Sequence, residues 1–142
     1  MVKKNTFWAI LLLLIGGGIY ATCRQDVIFL APFRETKFLD FLKIDIRYHN
    51  GNVFTYFFLF CLPDGLWYLS LLLFQKQFYN ANVLTSKILL ITSALLPFAL
   101  EFLQYFKVIK GTFDILDICF YLLILIIFVI IWKLKNHYAL KA

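Results

Sequence analysis

A chain of 142 residues with 63% hydrophobic and only 15% charged residues departs far from an ordinary soluble domain, in which about 25% of residues carry charge. Its mean hydropathy of +0.83 and its long unbroken apolar runs exclude a soluble globular protein, and 17 Phe, 8 Tyr and 3 Trp exclude a solvated coil. The net charge of +6 marks segment ends near anionic headgroups; no basic stripe interleaves with stacking aromatics, so nucleic acid is not an expected partner.

The expected fold class is all-α, a single polytopic membrane domain over residues 1–142. A bilayer core about 30 Å thick takes about 20 apolar residues in helix, and four stretches serve: 6–22, 53–74, 84–106 and 112–134. In the first, Gly16, Gly17 and Gly18 suit close helix packing, since small residues let backbones approach. Lys3 and Lys4, a short apolar run and then Cys23 also follow the layout of a lipoprotein signal. Tyr20, Ala21 and Thr22 precede the cysteine where such a signal prefers an aliphatic and then a small residue, so an uncleaved anchor is expected.

The stretch between the first and second spans is too long for a bare connector. Within it Phe38, Leu39, Leu42 and Ile46 fall on one side of a helical wheel and Lys37, Asp40, Lys43 and Arg47 on the other, which predicts an amphipathic interfacial helix over about 35–47. The second span carries Pro63 with Gly65 and the third carries Pro97, both expected kinks. The later connectors are short, so the spans form an antiparallel bundle. Lys and Arg divide equally between the two faces, and the pair Lys3 and Lys4 beside the first span decides for cytoplasmic termini.

A carboxylate in a span costs about 2.5–3.5 kcal/mol on insertion scales, so each such residue is a functional hypothesis. Asp64 lies mid-run in the second span, Glu101 late in the third, and Asp114 and Asp117 at the start of the fourth. Glu101 shares a helix face with Gln104, and Asp114 with Asp117. With a short connector between the spans, the two pairs are expected to meet inside the bundle, with Tyr121 as a further hydrogen-bonding neighbour. Thr112 and Asp114 also suit a helix cap, and Asp64 serves either the Pro63 kink or the cluster. His49 and His137 are expected near opposite faces, so no histidine metal site or triad is expected. Cys23, Cys61 and Cys119 match no zinc or redox spacing, and no Gly-rich phosphate loop or nucleophile elbow is present. No cofactor is expected, and catalysis, if any, would rest on carboxylates and amines.

The stretch Glu101-Phe-Leu-Gln104, then Gly111-Thr-Phe-Asp114-Ile-Leu-Asp117, then an apolar span, resembles the signature of VanZ-like membrane proteins, and Pro63-Asp64-Gly65 is similar to the Pro-x-Gly element of their second span. Where that family carries an Asn four residues after the second Asp, this chain has Tyr121. The resemblance implies a small multi-pass protein of the bacterial inner membrane, in a family whose founding member is linked to glycopeptide resistance and therefore to the cell envelope. Three functions fit these residues. The polar cluster binds a lipid-linked or headgroup-bearing ligand; or the chain is an accessory subunit whose acids and glycines meet another membrane protein or a second copy; or it carries a proton, ion or small solute as an oligomer.

Overall fold

The computed structural model describes residues 4–23 and 52–139, and every regular element within them is a helix. The expected interfacial helix at 35–47 lies outside the described residues. We number the spans α1 (Lys4–Cys23), α2, α3 (Leu84–Tyr105) and α4 (Ile115–Ala139). Helix α2 is built of Val53–Tyr56, a π-helical turn Phe57–Cys61, and Leu62–Phe78. All four are long and apolar enough to cross a membrane; α3, with 22 residues, is about 33 Å long at 1.5 Å per residue. The chain is a multi-pass membrane protein.

Three boundaries depart from expectation by three residues or more; α4 runs on to Ala139 instead of residue 134, and the other two have visible reasons. Helix α2 runs past residue 74 to Phe78 because Lys76 carries its charge out along an aromatic surface, its Nζ 5.0 Å from the Trp132 ring and 5.4 Å from that of Phe128. Helix α4 begins at Ile115 instead of Thr112 because Asp114 caps it. The start of α2 is likewise capped, with Asn52 Oδ1 accepting the N–H groups of Phe54 and Thr55 at 3.1 and 3.4 Å.

Helix α2 packs against each of the other three, and α3 also meets α4. At Pro63, where a kink is expected, the structure shows a π turn immediately before it. Proline lacks an N–H, and its ring would collide with the carbonyl four residues back in a regular helix; the wider turn, with the Leu62 N–H bonded to the Phe57 carbonyl, relieves that collision. Against α1, Ser70 donates to the Ala9 carbonyl at 2.7 Å, and Gly16 lies so close that a Cβ there would fall 2.5 Å from Trp67 Cδ1. Gly17 and Gly18 do not join this contact, and a Cβ at either would meet nothing within 4 Å. Successive helical residues turn by about 100°, so a run of three glycines cannot present all its members to one neighbour.

Helix α4 approaches α2 over Gly65, whose missing side chain is replaced by the Phe120 ring and the end of Ile124. Beyond it Tyr68, Leu72, Tyr121, Ile124 and Phe128 form the buried core, and Tyr68 donates to the Ala94 carbonyl of α3 at 2.9 Å. That contact falls beside the turn that Pro97 leaves one hydrogen bond short. Outside this core the large side chains of α3, such as Leu84, Ile91, Leu95 and Phe102, are exposed, the surface a lipid-facing helix needs.

The glycines therefore differ in weight. Gly65→Val is expected to cost about 1–3 kcal/mol through overpacking against Phe120 and Ile124. Gly17→Ala, which meets open space, is expected to hold or slightly raise stability through helix propensity. Thermal unfolding of the two variants in detergent micelles checks both, and equal losses would contradict the packing described.

Candidate functional site

The site is assembled at the end of the bundle where α3 turns into α4. Helix α3 closes with the Lys107 N–H on the Gln104 carbonyl and the Val108 N–H on that of Leu103, both 2.9 Å. Lys107 takes the left-handed conformation this closure requires, with φ 58°. Gly111, at φ 147°, then turns the chain directly under Gln104; a Cβ at 111 would lie 2.6 Å from Gln104 Cδ. Gln104 thus covers the connector.

Asp114 follows and ties three helices together. Its Oδ1 accepts the Leu116 N–H at 2.8 Å, capping α4; its Oδ2 accepts the Tyr56 hydroxyl of α2; and its own N–H donates to Glu101 Oε2 of α3 at 3.1 Å. In a capping box the acid three residues after the cap would reach back for that N–H. Asp117 stands at that position, but Glu101 has taken the donor. Asp117 is buried at 8% exposure, its Oδ1 without a hydrogen-bond partner, and the thiol of Cys61 lies beside it.

Glu101, at 6% exposure, has Asp64 and Asp114 as its electrostatic neighbours, and Asp117 has Asp64, Asp114 and Glu101. Among the described residues, every charged group acting on these two buried acids is another carboxylate. Tyr20 of α1 donates to Asp64 Oδ1. Tyr121, buried between Tyr68 and Phe98, lies within electrostatic reach of Asp64, Asp117 and Glu101. The structure thus brings together Asp64, Glu101, Asp114, Asp117 and Tyr121, and sets Gln104 to one side over Gly111. Tyr20, Tyr56 and Cys61 also belong to the cluster and carry no mark in the sequence, where a tyrosine near a span end reads as an interfacial aromatic and a lone cysteine as a small apolar residue.

A groove of about 250 Å³ runs between the π turn of α2 and the first turns of α4. Tyr56 and Cys61 belong to both groove and cluster, while Leu116, Cys119 and Leu123 on its rim are exposed. The cluster can accept hydrogen bonds and positive charge. Among the described residues no group of three His, Cys, Asp or Glu side chains is arranged to hold a metal ion. Reactive thiolates sit beside cations, whereas Cys61 has carboxylates.

Asp114 and Asp117 should consequently respond differently to substitution. Asp114→Ala removes a cap and the acceptor for Tyr56, an expected loss of about 1–3 kcal/mol. Asp117→Asn relieves a buried acid of charge and is expected to leave the melting temperature unchanged or raise it. Thermal unfolding in one detergent checks both; a large loss on Asp117→Asn would make that residue a structural one. No protein-family model, curated protein or solved structure matches the chain, so the chemistry of the cluster itself carries the functional reading.

Proposed function

We propose that this chain is a VanZ-like protein of the bacterial inner membrane, with both termini in the cytoplasm, that binds a lipid-linked or headgroup-bearing ligand in its acidic cluster. The observation that carries the proposal is Asp117, a buried carboxylate in a membrane span with an oxygen left unpartnered and, among the described residues, only acids as charged neighbours. A fold gains nothing from such a group, because burying an unpaired acid is costly and a well-packed apolar residue would serve better. Its cost is offset when a ligand supplies the missing donors. The groove brings a membrane-embedded molecule up to Cys61, whose thiol lies beside Asp117.

Glu101→Gln tests this without dismantling the connector, since the amide oxygen still accepts the Asp114 N–H while the charge is lost. Native mass spectrometry of the chain, extracted from its own membranes in mild detergent, is expected to show a retained ligand that Glu101→Gln loses at near-normal protein levels. Equal retention by the variant, or no ligand on the parent, would contradict the proposal; a drop in protein level alone would assign Glu101 to the fold. Labelling of a cysteine near Lys141 from the periplasmic side would reverse the orientation.

A further inference from the structure

The chemistry of the cluster and the position of the groove narrow the ligand further. Asp117 is more than nine-tenths buried, at 8% exposure, and its Oδ1 has no donor. Among the described residues Glu101 and Asp117 feel only other carboxylates, so an anionic group brought here meets repulsion from them in a medium that screens it poorly. A cation meets the opposite. Among cationic heads, a primary ammonium carries three N–H donors and no acceptor, which answers an unpartnered carboxylate oxygen, whereas a quaternary ammonium brings charge with no donor.

The groove indicates where the rest of such a molecule lies. Its rim runs down α4 from Leu116 to Leu123, about 10 Å at 1.5 Å per residue, within the membrane-crossing part of that helix. At the Leu116 end, Tyr56 reaches Asp114; on the inner wall, Cys61 abuts Asp117. The groove is apolar and lipid-facing along its length, and two of its lining side chains, Tyr56 and Cys61, back directly onto the carboxylates of Asp114 and Asp117, which is the polarity of a single lipid molecule whose cationic head turns inward past them. Lys107 and Lys110, exposed on the connector at the same end, offer positive charge to a lipid phosphate outside the acids.

We infer that the ligand is a lipid with a primary ammonium head, its ammonium held by Asp117 and Glu101 and one acyl chain lying in the groove between α2 and α4. This rests on the proposed function and adds the ligand's class and pose.

The test uses the full chain in nanodiscs containing, in turn, phosphatidylethanolamine, phosphatidylcholine or phosphatidylglycerol with a photoactivatable diazirine in the acyl chain, followed by mapping of the labelled residues. Phosphatidylethanolamine is expected to label Leu116, Cys119 and Leu123 about tenfold more than either other lipid, the weight of one charge-assisted hydrogen bond. Asp117→Asn is expected to bring it down to their level. Cys119→Trp, which fills the groove from an exposed position and leaves the acids untouched, is expected to lower the same labelling and covers the case in which Asp117→Asn does not fold. If phosphatidylcholine or phosphatidylglycerol labels the groove equally or better and this labelling depends on Asp117, the ammonium inference is overturned while the ligand-binding reading stands. If no lipid gives Asp117-dependent labelling, the ammonium-lipid inference falls, and the ligand-binding reading falls with it only if native mass spectrometry also finds no Glu101-dependent ligand. Labelling unaffected by Cys119→Trp overturns the placement of the chain.

Discussion

The hydrogen bond from the Asp114 N–H to the Glu101 carboxylate sets the chemistry of this end of the molecule. A helix start has N–H groups with no intrahelical acceptor, and here two of them are satisfied by acids, one on α3 and one at the cap itself. Because Glu101 comes from the neighbouring span, the bond fixes the height of α3 against α4. It also displaces Asp117 from the role its position would give it. The acid that would close a local capping box is turned inward to Cys61, and a capping motif becomes a buried acidic site.

The remaining helices are arranged so that this site is held from several sides. Lipid is as apolar as the side chains, so helices in a membrane associate through close packing and occasional hydrogen bonds, with cross-helix bonds worth roughly 0.6–2 kcal/mol each. Helix α2 collects these contacts: Gly16 and Ser70 on the side of α1, Gly65 under Phe120 of α4, and Tyr68 on the Ala94 carbonyl of α3. Tyr20 and Tyr56 add links from the ends of α1 and α2 to Asp64 and Asp114. The π turn before Pro63 lies between those tyrosine contacts and forms one wall of the groove. A wide turn at a functional position is a common use of that geometry.

The four spans are legible in the sequence because apolar runs of that length have few alternatives, and Glu101 and Asp117 stand out because a carboxylate in such a run is expensive. Less could be read where the deciding contact is long-range. Tyr20 and Tyr56 are ordinary residue types for a span end until Asp64 and Asp114 are placed opposite them. Gln104 shares a face with Glu101 by its spacing, yet it falls in the last turn of α3, where the chain reverses and Gly111 passes beneath it. Gly17 and Gly18 resemble Gly16 in sequence and differ only in the direction they face. Asp114 could be seen as a cap from its position, but its three-helix role needed the fold.

A structure determined by electron microscopy from the chain extracted with its native lipids bears most directly on the site. Density within hydrogen-bond distance of Asp117 Oδ1, about 2.7–3.2 Å, continuing into the groove beside Cys61 and Leu123, is the expected result. An Asp117 paired with a basic side chain of its own chain, with nothing in the groove, would contradict it.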